Sequence, residues 1–185
     1  MDEICINQIL QGDSQAFRHL ITKYKDMAYS IAMSVVKDEF YAEEILQESF
    51  LIAYDKLATF KGNSKFSTWF YRIVINQSFK IAKKHKTEFV DFMEIPPDIS
   101  VEIDNTILKL EEDDQKYFIN EALKKIPEKE SLVLRLYYLD ENSIEEITRI
   151  TGWTSSNIKV ILHRARIDLR YQLFKIYKLE KKALY

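Results

Sequence analysis

Between Lys56 and Thr87 the chain carries eight Lys or Arg residues and no Asp or Glu. Lys61, Lys65, Arg72, Lys80, Lys83, Lys84 and Lys86 are interleaved there with Phe66, Trp69, Phe70, Tyr71 and Phe79. Cations at that density neutralise phosphates, and rings between them can stack on unpaired bases, so the chemistry on offer is that of holding a nucleic-acid strand. The same residues also describe a solvated cationic helix face over an aromatic core. Composition alone leaves those two readings level.

A second constellation lies toward the C-terminus. Ser143-Ile144-Glu145-Glu146 forms a capping box that opens a short helix, Gly152 ends it, and Thr154 caps a longer helix from Ser155. Two helices joined by a short turn containing Gly make the helix-turn-helix pattern, which also occurs in unrelated bundles. In the second helix Ile158, Ile161, Leu162, Ala165 and Leu169 form the apolar stripe, leaving Ser155, Ser156, Lys159, Val160 and His163 to face outward. Nine basic residues stand against two acidic ones from Arg149 to Tyr185, the balance that docking on a phosphate backbone requires.

Other chemistries are excluded. Gly12, Gly62 and Gly152 are too far apart for a phosphate-cradling loop. His19, His85 and His163 are too dispersed for a metal site, and no nucleophile, base and oxyanion donor occur at a recognisable spacing. The expectation is therefore a non-enzyme without cofactor or metal. Cys5 stands alone and reads as a buried or incidental thiol. The longest uncharged run, Met27 to Val36, is far short of the roughly 18 apolar residues of a membrane span, and the acidic opening is unlike a secretory signal. A cytoplasmic protein without membrane insertion is expected.

These residues need elements to position them. With 185 residues, 46% hydrophobic and 13% aromatic, the chain can bury the core of one domain or two small ones. It has little of the Gly and Asn turn chemistry that sheets demand, so the expected class is all-α. The net charge of −2 hides a segregation: 1–55 holds ten acidic against four basic residues, and 88–128 twelve against four. Residues 91–116, with Pro96-Pro97 and scattered carboxylates, read as an acidic linker between small helical domains at 1–90 and 117–185, the second containing the helix-turn-helix.

Periodicity predicts a helix over 14–35 capped by Ser14, then another over 41–57 with Leu46, Phe50, Ala53, Tyr54 and Leu57 on its apolar stripe. The opposite face of the latter carries Glu44, Gln47, Glu48, Leu51 and Asp55, acidic with one exposed leucine. Residues 60–65 read as a loop, after which Ser67 or Thr68 caps a helix to about Lys86. Further helices are expected near 107–125, stopped at Ile126-Pro127, and from Glu128 to Tyr138. Phe66 and Trp69 are assigned to the core in preference to stacking on bases.

Taken in order, the segments resemble the extracytoplasmic-function sigma factors, small two-domain initiation factors of bacterial RNA polymerase. The resemblance rests on Gly12-Asp13-Ser14-Gln15-Ala16-Phe17, on Ala42-Glu43-Glu44-Ile45-Leu46-Gln47-Glu48-Ser49-Phe50, and on Phe60 through Ile73 with Asn76. In the C-terminal part it rests on Leu123 to Pro127, Ile144 to Ile147, and Gly152 to Arg166. It implies that Glu43, Glu44, Gln47, Glu48 and Leu51 dock on core RNA polymerase. Lys61, Asn63, Ser64, Lys65, Arg72, Asn76, Lys80, Lys83 and Lys84 would read and open the minus-ten element on the melted non-template strand. Ser155, Ser156, Asn157, Lys159 and His163 would lie near bases of the double-stranded minus-thirty-five element, with Arg164, Arg166 and Arg170 nearer phosphates. An anti-sigma factor would cover these faces. The chain departs from the family at Ile75, Lys80 and Ile161, where many members carry Arg, Asp and Arg. A stand-alone helix-turn-helix regulator explains 143–170 but not the ordered match over 42–76, and a helical interaction protein would use its basic faces for solubility alone.

Overall fold

The computed structural model describes residues 2–85 and 112–183. Among these the chain is helix and short connection, with no strand, as the turn chemistry implied. The helices are α1 (Asp2–Leu10), α2 (Phe17–Val36), α3 (Glu39–Asp55), α4 (Phe66–Lys84), α5 (Glu112–Lys125), α6 (Glu128–Leu134), α7 (Ile144–Thr151) and α8 (Ser155–Ala183). They fall into two compact units, one of α1 to α4 with Glu145–Trp153, the other of α5, α6 and α8.

In the first unit α2, α3 and α4 pack against one another in all three pairings. Leu20, Ile31, Ile45, Phe70 and Val74 are fully buried there. Ala28, Ala32, Ala42 and Ala53 are also fully buried, and such small side chains let helix backbones approach closely. The apolar stripe of α3 therefore runs through Ala42, Ile45, Ser49, Phe50 and Ala53. Leu46 is only half-buried and Tyr54 is exposed, contrary to expectation, although the Tyr54 ring still meets Phe17 edge-on at 5.0 Å.

Several boundaries differ from those expected. Asp13, not Ser14, caps the first turn: its carboxylate accepts from Gln15 N at 3.0 Å, and a 3-10 turn over Ser14–Ala16 leads into α2. α2 ends on Lys37 in the left-handed region, φ 58°, and Asp38 then caps α3 by accepting from Tyr41 N at 3.1 Å. α4 begins at Phe66 with Lys65 at its N-cap, so neither Ser67 nor Thr68 caps it. Burial of Phe66 sets that start. The expected end near Lys86 and the linker over 91–111 lie outside the described residues, whereas 112–116, expected in the linker, form the first turns of α5.

α1 adds a helix that the periodicity did not indicate. Cys5, Ile6 and Ile9 bury its inner face, and the Asp2 carboxylate accepts from Lys23 Nζ and Tyr24 Oη, each at 2.5 Å. Burial pushes the Tyr24 phenol up to about 12, assisted by its bond to Asp2. Burial acts to raise the Asp2 carboxyl as well, yet the bonds from Lys23 and Tyr24 outweigh it and hold that group below its ordinary value.

In the second unit α5 and α6 pack on α8. Phe118 and Ala122 meet Leu173 and Ile176, and Leu132 and Val133 of α6 are fully buried. The helix expected from Glu128 to Tyr138 stops at Leu134, after which the backbone widens into a π turn over Arg135–Leu139. Two bonds to Leu136 O close that turn, from Asn142 N at 2.9 Å and Asn142 Nδ2 at 3.0 Å, alongside an Arg135–Asp140 ion pair at 3.4 Å.

Candidate polymerase and nucleic-acid interfaces

Helical spacing sorts the outward residues of α3. Glu44, Gln47, Glu48, Leu51 and Asp55 recur at intervals of three and four, so they form one stripe opposite the buried one, and all are exposed. Glu43 is exposed at its edge. Phe40, 72% exposed, extends the same stripe by one turn and was not anticipated, although its position four residues before Glu44 was a sufficient signal. The stripe thus offers carboxylates and an amide between two large apolar side chains, Phe40 and Leu51 (62% exposed). Such a mixed patch suits a protein partner better than a polyanion.

The loop between α3 and α4 is held at its base. A 3-10 turn over Leu57–Thr59 precedes it, with Leu57 fully buried. Phe60 on one side of the loop meets Phe66 on the other at 5.8 Å, edge-on, and Trp69 at 5.5 Å. Phe66 stacks in turn on Phe70, 5.9 Å away and tilted by 13°. Phe66 and Trp69 therefore support the loop from within: Phe66 is buried and Trp69 half-buried. Lys61, Gly62, Asn63, Ser64 and Lys65 are all exposed above them. Gly62 holds φ 71°, which a side chain at that position would strain. The Asn63 carboxamide makes no hydrogen bond to the described residues, so its donor and acceptor are both open to a base edge.

Beyond the loop, Arg72, Asn76, Lys80 and Lys83 recur along α4 on the face opposite Phe70, Val74 and Ser78, with Lys84 at its margin. All five are exposed. The loop and this stripe both present exposed cations, Lys61 and Lys65 before α4 and Arg72, Lys80, Lys83 and Lys84 along it. Ile75 lies in the apolar interior at 4% exposure, so the residue that replaces the family's Arg is a core residue here.

In the helix-turn-helix segment, α7 ends on Gly152 at φ 76°, whose N–H bonds Thr148 O at 2.9 Å. Thr154 Oγ1 accepts from Asn157 N at 3.3 Å, which caps α8 as expected. Ile158, Ile161, Leu162 and Ala165 are buried, and Leu169 is half-buried against the Phe118 cluster. Ser156, Lys159, His163, Arg166 and Arg170 form one exposed stripe, while Asn157 and Arg164 are exposed on a separate face and Ser155 is half-buried. Arg166 Nε donates to Tyr138 Oη at 2.8 Å, a partner that nothing in the sequence pattern announced.

Among the described residues no group of His, Cys, Asp and Glu is arranged to hold a metal, and no helix is long and apolar enough to cross a membrane. Residues 20–87 match the family described as Sigma-70 region 2, and residues 119–169 the one described as Sigma-70, region 4. The ECF RNA polymerase sigma factor SigW of Bacillus subtilis is 32% identical, with 91% of this chain and 94% of that protein aligned. The ECF RNA polymerase sigma-E factor of Escherichia coli is 26% identical over 92% of this chain and 94% of its own length. Among solved structures, CnrH in complex with the cytosolic domain of CnrY superposes with a TM-score of 0.65 at 19% identity, covering 94% of this chain and 97% of that one. The sigma factor RpoE of Bartonella quintana, solved with the anti-sigma factor NepR, gives 0.62 at 20% identity, covering 85% and 96%.

Proposed function

Because the chain belongs to the extracytoplasmic-function RNA polymerase sigma factors, which initiate transcription, we propose a division of labour among its surfaces. Residues 1–90 bind core polymerase through the α3 stripe of Glu43, Glu44, Gln47, Glu48 and Leu51, extended by Phe40. The same domain opens the minus-ten element with Lys61, Asn63, Ser64 and Lys65 and holds the freed strand along Arg72, Asn76, Lys80, Lys83 and Lys84. The C-terminal domain, from α5 onward, engages the minus-thirty-five element through α8, and the segment before α5 links the two. The continuous family match over 119–169, which runs through α7, supports assigning that helix to the C-terminal domain.

The observation that carries this reading is the set of exposed cations from Lys61 to Lys84 with an open Asn63 carboxamide among them, in a stretch of 32 residues with no carboxylate. A strand held there meets cations from a segment that contributes no carboxylate of its own. The protein acts in the cytoplasm, where its polymerase is, and makes no bond changes of its own. Control by an anti-sigma factor fits the fold shared with CnrH and RpoE, each solved with a bound partner. Run-off transcription on genomic fragments, using core polymerase with and without the chain, tests the proposal. Transcripts that require the chain and start at discrete positions are expected, whereas an identical transcript pattern in both reactions overturns it.

A further inference from the structure

Arg166 is held on three sides. Its Nε donates to Tyr138 Oη at 2.8 Å, and the guanidinium carbon stands 5.6 Å from the centre of the Tyr138 ring and 5.9 Å from that of Tyr137. The two tyrosine rings themselves meet edge-on at 4.9 Å. Both tyrosines sit in the π turn after α6, and such single wide turns are frequently found at functional sites. The closing bonds to Leu136 O and the partly buried Arg135–Asp140 pair fix the turn, so Tyr138 is presented outward, 52% exposed, by a rigid support.

The bond to Nε has two consequences. It leaves both terminal nitrogens of Arg166, with four N–H donors, to other acceptors, and no carboxylate among the described residues claims them. It also occupies a lone pair of the phenol oxygen while its proton stays available, so Tyr138 can donate to the same acceptor that Arg166 engages. An anion with two oxygens on one centre fits that array, and Ser156, Lys159, His163 and Arg170 on the same exposed stripe of α8 carry no acidic residue among them.

We infer that Tyr138 and Arg166 form a composite clamp for one phosphate of the promoter duplex, with Tyr138 acting both as a ligand and as the residue that positions Arg166. The inference rests on the reading of α8 as the minus-thirty-five helix. It adds a residue outside the helix-turn-helix and makes the π turn part of the DNA-binding surface.

The test measures promoter affinity of the full chain with core polymerase across a series of KCl concentrations. Tyr138→Phe keeps every charge, so the salt slope stays parental while affinity falls about three- to ten-fold at each concentration, the net effect of losing one hydrogen bond at a half-exposed position. Arg166→Ala lowers the slope by about one. The double variant binds more tightly than the two single losses multiplied together would give, because the positioning part of Tyr138's contribution disappears with Arg166 and only its own bond to the phosphate remains to be lost. Parental affinity of Tyr138→Phe, or strictly additive losses in the double variant, overturns the clamp. Unchanged promoter binding with weakened binding of a poly-glutamate peptide also overturns it, assigning the pair to a protein carboxylate. A parental chain that forms no salt-sensitive promoter complex with core at all defeats the earlier reading of α8, an outcome distinct from failure of Tyr138→Phe alone.

Discussion

Replacing Phe60 with alanine removes the ring that joins the two ends of the loop between α3 and α4, the loop proposed to open the strand. Phe60 is half-buried and makes two ring contacts, to Phe66 at 5.8 Å and Trp69 at 5.5 Å. Contacts of this kind contribute about 0.5–1.5 kcal/mol each beyond area burial. Partial exposure argues for the lower part of that range, so the ordered loop should lose about 1–2 kcal/mol, a factor of roughly 5–30 in its population. The cost is local. Leu20, Ile31, Ile45, Phe70 and Val74 fill the three-helix core without Phe60, whereas Phe70→Ala should cost about 3–5 kcal/mol and unfold the unit. The expected signature of Phe60→Ala is reduced permanganate reactivity of thymines in the melted promoter at a fixed polymerase concentration. Helical CD and competition for core polymerase should stay close to parental. Parental melting would show that the aromatic brace does not order the loop, and an equal loss of core binding would show that loop and α3 stripe are not separable surfaces.

Glu44→Lys combined with Gln47→Ala should weaken capture of core polymerase by the charge reversal, which typically costs about 2–5 kcal/mol where the pair is buried at an interface, and an undiminished competition curve would reject the α3 face. The Asp2 tie should follow pH in two directions. Asp2 is held below its ordinary 3.8, so its contribution is present above that value and is lost as pH falls through the lowered one. Tyr24 is raised from 10.0 to about 12, so its contribution is complete below 10.0 and lost as pH rises through about 12. Hydrogen exchange should therefore show α1 opening on acidification in the parent, while Asp2→Asn opens it already at neutral pH without that acid step. The free chain, net −2, should bind promoter DNA weakly and gain affinity only with core polymerase, because it lacks the overall field that drives non-specific association. Fluorescence anisotropy giving equal, tight affinities with and without core would favour a stand-alone regulator.

Much of this was legible in the sequence because α4 and α8 carry bulky apolar residues at helical spacing, with charge confined to the other face. The α3 stripe was read less accurately. Its true line runs through Ala42, Ser49 and Ala53, residues that bury completely by being small and so contribute little to an apolar pattern, which drew Leu46 and Tyr54 into the stripe instead. α1 escaped notice because only Cys5, Ile6 and Ile9 mark its inner face and the tie that holds it joins Asp2 to residues more than twenty positions away. The caps at Asp13 and Lys65 were missed by one to three residues, since adjacent polar side chains compete for the same role and packing of the first apolar residue decides between them. The Tyr138–Arg166 pair spans 28 positions and depends on the extra residue of the π turn, which no periodicity encodes.

The alanine contacts at the centre of the first unit give it a mechanical character. If base pairs are opened as proposed, prying them apart would load the loop and α4, and a reaction force would have to be carried to something that does not move. α4 and α3 share one close-packed interior in which Ala28, Ala32, Ala42 and Ala53 leave no exposed surface, and packing of that density transmits strain instead of absorbing it. A load taken on the cationic face of α4 is thus delivered with little loss to the outer face of α3, where the polymerase would bear it. Under the proposed assignment of these faces, the three helices would act as a short rigid strut between the strand being opened and the machine that anchors it.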